Sequence, residues 1–338
     1  MERDRLTVSG WTEFSFTAST ASRSHLPMGF NFAANEFLLQ QNWLRVDRAI
    51  APDSGTPSFG YTIDLILPGS DYRFTRPRGL WEGQTGRHGI DPVQFYAEAY
   101  VPDVGQGLNV KLGRFFAPYG AESIAAPETP FVSRSYTFIY NPFTQTGLLG
   151  ELRLDDQWSI KGGLTAGNDV FIDRASSAYF VGGFVWTSDD GEESLDFTTI
   201  LGNGRFDAGE DFHNPQIFSL VFSRKLSEQT DWRFDALYGF TREVPGIGFA
   251  NWYGLVNYLI DNQTQRLSRT GRLEFFDDSH GQLTGTPGLY TAATVGLAYR
   301  PASRLWLRPE LRLDHHGGRP FEGRTTLLTA GFGLLVRW

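Results

Sequence analysis

The chain has 338 residues, of which 41% are hydrophobic and 15% aromatic, with 38 glycines and no cysteine. No stretch approaches the roughly 18 uninterrupted apolar residues that a membrane helix needs, which excludes a helical membrane protein. Thirty basic against 38 acidic residues leave a net charge of −8, which argues against nucleic acid as a partner. Without cysteine, disulfides, thiolate metal ligands and cysteine nucleophiles are excluded as well.

Hydrophobicity alternates with a period of two from one end of the chain to the other, and helical periodicity is almost absent. This alternation predicts about sixteen β-strands, with 14 or 18 as alternatives because the second and eighth strands are weakly patterned. The predicted strands are 5–17, 37–48, 58–67, 92–101, 107–116, 143–154, 158–167, 179–187, 195–202, 215–226, 231–242, 250–260, 264–276, 288–300, 305–314 and 325–338.

The last two predicted strands show the pattern most clearly. Leucines at 305, 307, 311 and 313 alternate with charged residues, and apolar side chains occupy every second position from Leu328 to Trp338. Pro309 interrupts this pattern because proline cannot donate a ladder hydrogen bond, so we expect a β-bulge there. A soluble β-sandwich would show the same alternation, so alternation alone does not identify the architecture.

The connections between the predicted strands identify the architecture. They alternate between short and long. The short ones are 104–106, 155–157, 227–230, 261–263 and 301–304, and the long ones are 18–36, 68–91, 117–142, 168–178, 203–214 and 277–287. Short turns on one rim and long loops on the other are typical of an outer-membrane barrel, which pairs all of its backbone groups by closure. The sequence therefore predicts one all-β domain over 1–338: a closed transmembrane antiparallel β-barrel of about sixteen strands, with periplasmic turns and extracellular loops.

Several segments resemble a known family. They are GRFFAPYGAE (113–122), PFVSRSY (130–136), PFTQTG (142–147), GSDYRFT (69–75), RLEFFDD (272–278) and LRPELR (307–312). These segments are similar to the Putative beta-barrel porin-2 (OmpL-like) family of bacterial outer-membrane porins. The resemblance implies a pore in the bacterial outer membrane and passage of small hydrophilic solutes, with outer-membrane lipids as surroundings and no cofactor. It does not identify the solute.

The C-terminal segment resembles the recognition signal that outer-membrane barrels present to the barrel-assembly machinery. An aromatic last residue follows apolar residues at alternate positions, and the residues concerned are Phe332, Leu334, Val336 and Trp338. Phenylalanine is the commoner last residue, so Trp338 is a mild departure. Trimers are common among sixteen-stranded porins, but no motif in this chain requires a homo-oligomer.

Charged residues on the polar faces of the strands are expected to line the pore. The basic ones are Lys111, Arg153, Lys161, Arg233, Arg272, Arg308 and Arg312, and the acidic ones are Asp64, Glu98, Glu151, Asp235, Glu274, Glu310 and Asp314. Seven against seven predicts no strong ion selectivity. Two interpretations stay open: a transverse field that orients polar solutes, or a wet wall whose cross-strand ion pairs neutralise one another.

The longest predicted loop, 117–142, follows the fifth strand. In sixteen-stranded porins, which this chain resembles, the corresponding loop folds inward and narrows the pore. Four prolines stiffen the segment, and Ile124, Phe131 and Val132 are too apolar for a freely solvated loop. We therefore expect a constriction loop, bordered by Glu122, Glu128 and Arg134. The alternative is a loop folded over the rim or into a subunit contact.

Enzymatic and metal-binding interpretations are weaker. Asp277, Ser279 and His280 offer catalytic residue types beside His315 and His316, but no spacing joins them into a nucleophile–base pair. The 202–211 segment has a faint likeness to a calcium loop but lacks the leading Asp and the ligand spacing. We expect a passive diffusion porin that is not an enzyme and holds no metal. The alternatives are a plugged barrel that docks a partner through its loops and a rim-active hydrolase.

Overall fold

The computed structural model describes residues 5–338, which form a closed antiparallel barrel of sixteen strands. Eighteen strands are numbered in chain order, and β10 (Phe206–Asp207) and β11 (Phe212–His213) form a separate hairpin inside a loop. The barrel strands are β1 (Leu6–Ser19), β2 (Phe37–Arg48), β3 (Ser58–Gly69), β4 (Gly89–Val101), β5 (Leu108–Phe116), β6 (Thr144–Arg153), β7 (Trp158–Asn168), β8 (Tyr179–Thr187), β9 (Glu193–Leu201), β12 (Gln216–Lys225), β13 (Thr230–Val244), β14 (Gly248–Thr264), β15 (Leu267–Asp278), β16 (Gly288–Ala302), β17 (Leu305–His315) and β18 (Thr326–Arg337). The predicted fold class and the count of sixteen are confirmed.

The barrel closes where β1 pairs with β18 in an uninterrupted antiparallel register, from Trp11 opposite Arg337 to Ser19 opposite Thr329. Gly10 and Trp338 extend this seam by exchanging two backbone hydrogen bonds of 2.9 Å. With an even number of strands, β1 begins and β18 ends at the rim of the short turns. Closure of this kind leaves no free sheet edge in a medium without water.

Two local predictions were wrong. The turn expected at 261–263 is part of β14, which runs to Thr264, so the connection to β15 shortens to residues 265–266. Pro309 makes no bulge, because β17 keeps a single register with β18 and resumes the same register with β16 on either side of the proline. The chain accommodates the missing N–H by interrupting the β16 ladder locally, and the register shift lies instead between Tyr299 and Ala302.

The two rims differ as the sequence predicts, with two exceptions: residues 49–57 form a longer connection on the short-turn rim, and residues 245–247 form a short turn on the long-loop rim. β14, with 17 residues, is the longest strand, and it meets the 15-residue β13 through residues 245–247 on the long-loop rim. Two short helices, α1 (Tyr72–Thr75) and α2 (Tyr136–Ile139), lie in the connections after β3 and β5. No helix among residues 5–338 is long and apolar enough to cross a membrane.

Burial follows the alternation along each strand. On β17 the outward Leu311 is 55% exposed, whereas the inward Arg308 and Arg312 are each 1% exposed. The apolar residues therefore form the outer surface, as lipid contact requires. Many inward polar residues are buried because loops fill part of the lumen.

Candidate pore and inward loop

The inward loop, residues 117–143, leaves the wall at the end of β5, crosses the barrel interior and returns to β6. It contains a 3-10 turn (Ala126–Glu128) and α2. Its apolar residues Ile124 and Val132 are 2% and 1% exposed. They are therefore packed rather than solvated, and side chains of the opposite wall hold the loop backbone.

Glu310 and Arg308 on β17 make the first set of these contacts. The Glu310 carboxylate accepts hydrogen bonds from the backbone N–H groups of Val132 at 2.8 Å and Ser133 at 3.1 Å. The Arg308 guanidinium donates to the Ala126 carbonyl at 2.8 Å. Hydrogen bonds to ionised groups are among the stronger ones in proteins, so these contacts fix the loop backbone on β17.

Arg308 also forms an ion pair with Glu13 on β1, and both side chains are 1% exposed. A second carbonyl of the loop, that of Thr129, accepts from Arg308 at 3.0 Å. Arg308 therefore joins two strands on either side of the barrel seam to the inward loop.

Arg312, two residues further along β17, sits at the centre of a buried charge cluster. It pairs with Asp314 at 2.8 Å and with Glu274 on β15 at 2.9 Å, and it donates to the Arg134 carbonyl of the loop at 2.9 Å. The Tyr136 hydroxyl donates to Asp314 at 2.8 Å. One guanidinium therefore satisfies two strand carboxylates and a loop carbonyl.

Arg272 on β15 makes the equivalent contacts further around the wall. It pairs with Glu274 at 2.7 Å and with Glu122 of the loop at 3.3 Å, and it donates to the Ser133 carbonyl at 2.9 Å. The Tyr258 hydroxyl on β14 also donates to Glu122. Glu122 is therefore an anchor of the loop.

Gln41 on β2 holds the loop on the other side of the seam. Its amide nitrogen donates to the Ile124 carbonyl at 2.7 Å and to Asp71 at 2.8 Å, and its oxygen accepts from the Ala126 N–H at 3.1 Å. Asp71 lies in the loop after β3. Burial, and then the nearby charge of Glu13, raise the pKa of the Asp71 carboxyl to about 7.

Three glycines of the wall leave space for the loop. A Cβ added at Gly333 would lie 2.5 Å from a methyl group of Val132, and one at Gly296 would lie 2.9 Å from the Phe131 ring. A Cβ at Gly254 would overlap Thr137. At these glycines β14, β16 and β18 therefore present flat surfaces, against which the loop packs closely.

The three charged loop residues predicted to border a constriction differ in position. Arg134 is 1% exposed and folds back on the loop, donating to the Thr129 hydroxyl at 2.9 Å and the Phe131 carbonyl at 3.0 Å. The Glu122 side chain is 5% exposed in its ion pair. Only Glu128 of the three, with 47% of its side chain exposed, presents its carboxylate to open space.

Open space remains between the start of the inward loop and the wall that runs from β2 to β9. A cavity of about 460 Å³ lies there, and its charged lining residues are Arg45, Lys111, Lys161, Glu128, Glu151 and Asp196. Lys161 pairs with Asp196 at 2.7 Å and donates to the Pro118 carbonyl at 3.1 Å. This side of the lumen is therefore hydrophilic and charged.

Two further cavities adjoin this one. A cavity of about 280 Å³ shares Phe116, Pro118 and Asp196 with it. Another, of about 410 Å³, shares Arg45 and Glu128 with it and extends to Arg304, Arg337 and Trp338 at the short-turn rim. Together they form a row of cavities beside the loop that reaches the periplasmic end of the barrel.

The remaining predicted lumen residues fall into two groups on the walls. Asp64 is fully buried and accepts from Arg45 and Gln94, each at 2.7 Å. Glu98 accepts from Asn109 at 3.3 Å beside the main cavity. On β13, Arg233 donates to the Ala121 carbonyl at 3.2 Å and Asp235 accepts the Ala121 N–H at 2.8 Å, so both hold the loop.

Arg153 lies outside both groups. It is at the end of β6, with 54% of its side chain exposed, and it donates to the Asp155 carbonyl at 3.2 Å and to Asp156 at 3.1 Å. It belongs to the short turn after β6, because alternation specifies a face but not a height along the barrel.

The histidine and acidic loop segments make local contacts that order their own loops. Asp278 accepts the backbone N–H groups of Leu283 and Thr284 at 2.9 and 2.8 Å, and His316 stacks on Tyr290 with ring centroids 4.1 Å apart. Asp207 accepts the N–H of Gly209 at 2.9 Å, which closes a turn. Within residues 5–338 no group of three or more His, Asp or Glu could hold a metal ion.

Several charged residues inside the barrel were not predicted from the sequence. Glu13 lies on the inward face of β1 and shows the same alternation as the other strands, so the pattern could have revealed it. Arg45 was not predicted because β2 begins with consecutive apolar residues, so the pattern does not show which face is inward. Asp196 was not predicted because β9 has threonines on both faces. Arg114 forms a buried 2.8 Å pair with Asp91 at the loop-proximal end of β5.

The residues of the expected assembly signal lie along the outer face of β18 and at its end. Phe332 and Val336 are 44% and 38% exposed, and Leu334 between them is half-buried. Trp338 follows the strand and takes part in the seam with Gly10.

Comparison with known proteins gives the same architecture. The chain is similar to the outer-membrane channel DcaP of Acinetobacter baumannii, with 12% identity, 98% of this chain and 97% of that chain covered, and a TM-score of 0.62. It is also similar to OmpT, an outer membrane protein of Vibrio cholerae (9% identity, 98% and 97% covered, TM-score 0.60). A mutant of Rh. blastica porin gives 13% identity, 98% and 100% covered, and a TM-score of 0.55. At such identities these likenesses show the fold alone.

No curated protein matches the chain in sequence. A family model, described as "Putative beta-barrel porin-2, OmpL-like", matches residues 5–334. Because that match covers nearly the whole of a closed sixteen-stranded barrel, the chain belongs to this porin family and is an outer-membrane porin of the bacterial outer membrane.

Proposed function

We propose that the porin is a passive diffusion channel whose path runs beside the inward loop, through the row of cavities along the β2–β9 wall. The observation that carries this proposal is the division of the lumen. The loop is bound to Arg272, Arg308 and Arg312 on one side, and hydrophilic cavities persist on the other.

In this proposal the inward loop is the constriction, and the predicted charges have two roles. Residues of β13, β15 and β17 hold the loop: Arg233, Asp235, Arg272, Glu274, Arg308, Glu310, Arg312 and Asp314. Residues beside the cavities contact solutes: Glu98, Lys111, Glu128, Glu151 and Lys161. The whole of 1–338 acts as one unit, and its transport needs no bond chemistry and no cofactor.

Substitution on the two faces of β5 tests the path. Asn109 lines the main cavity, whereas Leu112 on the same strand is 61% exposed on the outer face. We expect Asn109→Trp to reduce single-channel conductance in planar bilayers, because an indole fills space through which solutes pass. Leu112→Trp, the matched control, should conduct like the unchanged protein.

Each outcome has a distinct meaning. Equal conductance of both variants would place the path elsewhere. Absence of channels in the unchanged protein, with folded barrels in the membrane, would favour a plugged barrel that docks a partner. Swelling of liposomes in sugars of increasing size then measures the width of the constriction.

We propose further that Phe332, Leu334, Val336 and Trp338 are recognised by the barrel-assembly machinery. Deleting Trp338 should reduce insertion into the outer membrane and leave protein in the periplasm. The Trp338→Phe variant keeps an aromatic last residue and should insert normally. Normal insertion of the deletion variant would contradict this role. The cavities lie inside a single closed barrel, so we propose that a homo-oligomer is not needed for conduction.

A further inference from the structure

Only some of the charges that alternation assigns to the lumen face its open part. Arg272, Arg308 and Arg312 are 2%, 1% and 1% exposed, and Glu274, Glu310 and Asp314 are 5% exposed or less. These groups are bound to one another, to Glu13 and to the inward loop. Removing them takes three basic and three acidic residues from the count of seven against seven, so the sign of the open lumen depends on the residues that remain.

Two ion pairs neutralise part of what remains beside the main cavity. Arg45 binds Asp64 through two hydrogen bonds of 2.7 and 2.8 Å. Lys161 binds Asp196 through two hydrogen bonds of 2.7 and 2.9 Å. Each pair combines one positive with one negative charge, and neither adds net charge to the cavity.

The charges left over beside the main cavity are one lysine and three carboxylates, because Arg304 and Arg337 of the adjoining cavity are exposed at the short-turn rim. Lys111 lies over the Tyr96 ring, 5.0 Å from its centroid, and forms no ion pair with any carboxylate whose side chain the structure describes. The carboxylates are those of Glu98, Glu128 and Glu151.

Glu98 lies opposite Lys111 in the β4–β5 register. Glu128 approaches Arg45 only at 3.6 Å, and Arg45 is already bound to Asp64. Even if Glu98 balances Lys111, the carboxylates of Glu128 and Glu151 remain.

From this imbalance, and resting on the proposed diffusion path, we infer that the porin prefers small cations as its solutes. Fixed carboxylates in a narrow passage with low-dielectric walls raise the local concentration of cations and exclude anions. The shared chemistry is positive charge, so inorganic cations and small ammonium solutes are equally included.

The test measures the reversal potential in planar bilayers across a KCl gradient. The unchanged protein should give a permeability ratio of potassium to chloride clearly above 1, on the order of 2 or more. The double variant Glu128→Gln with Glu151→Gln should lower the ratio to about 1. Lys111→Gln should raise it, which is a change in the opposite direction that damage to the barrel would not produce.

Glu228→Gln is the matched control, because Glu228 is an exposed carboxylate in the turn between β12 and β13. It should leave the ratio unchanged. A ratio at or below 1 for the unchanged protein, or no response to either set of lumen substitutions, would overturn the cation preference while leaving the diffusion channel intact. Absence of any conductance would overturn the proposed channel and the preference together.

Discussion

The carboxylate of Glu310 on β17 accepts the backbone N–H of Val132, 178 positions earlier in the chain, at 2.8 Å inside the barrel. The neighbouring N–H of Ser133 binds the same carboxylate at 3.1 Å. A strand side chain thus replaces the hydrogen bonds that a loop backbone lacks when it leaves the sheet.

Glu310→Gln should loosen the inward loop, because the amide keeps one acceptor oxygen but loses the charge. Hydrogen bonds to a charged group contribute about 1.5–3 kcal/mol to stability, so the loop of the variant should detach from β17 more often. We expect larger open-channel noise and higher mean conductance in single-channel recordings. Glu228→Gln is again the control, and recordings of Glu310→Gln that match it would show that the anchor does not hold the loop.

Arg312→Met should destabilise the whole barrel. It leaves Glu274 and Asp314 buried beside each other without their common cation, a change that costs about 3–5 kcal/mol in buried pairs. Urea unfolding in detergent micelles measures the loss. Arg153→Gln breaks an exposed pair with Asp156 and should cost less than about 1 kcal/mol. Equal losses for the two variants would contradict the buried cluster.

Gly333→Ala tests the close packing of the inward loop against β18. The added methyl group would lie 2.5 Å from Val132, so the loop must shift, at a cost of about 1–3 kcal/mol. The conductance should change while the barrel still migrates as a folded, heat-modifiable species. Gly271→Ala on β15 is the control, since a Cβ there meets nothing within 4 Å. If both variants conduct alike, close packing at Gly333 is unimportant.

Asp71 should make stability depend on pH in an unusual direction. Its folded-state pKa is about 7, against an ordinary value of 3.8, chiefly because the carboxyl is buried. A carboxyl whose pKa is raised by folding binds its proton more tightly in the folded state. Its contribution to the free energy of unfolding is therefore complete below about pH 4 and is lost as the pH rises through 7.

Comparison with Asp71→Asn isolates this contribution, because the asparagine oxygen still accepts from Gln41. Unfolding free energies from urea titrations at several pH values should show the unchanged protein losing stability relative to the variant between pH 4 and 7. Parallel curves would mean that Asp71 titrates normally.

Much of the barrel could be predicted because each strand alternates between apolar residues that face lipid and polar residues that face the lumen. The bounds of β17 and β18 follow from the apolar residues at every second position. Because lipid lies on one side of the sheet, a register shift that turned these residues inward would be strongly unfavourable. Pro309 misled the prediction because a missing N–H interrupts a ladder without necessarily adding a residue. The turn after β14 was misplaced because Asp261 and Asn262 are turn-forming residue types that here continue the strand to Thr264.

The candidate site was less predictable, since partners such as Glu13 and Arg308 lie 295 positions apart. The face of Arg308 follows from the strand pattern, but its partners depend on where the inward loop lies. Glu122 and Glu128 look equivalent in the sequence, yet one is bound to Arg272 and the other is open to the cavity.

The sequence by itself determined the strands, their inward and outward faces, the closed barrel and the family, because period-two hydrophobicity is a local property imposed by two solvents. Only the tertiary structure decided which charges remain free in the lumen. The charges that remain free depend on contacts between the inward loop and distant strands. A buried charge must be paired because burial removes its hydration. Arg312 is therefore bound inside the wall, whereas Glu151 lines the main cavity.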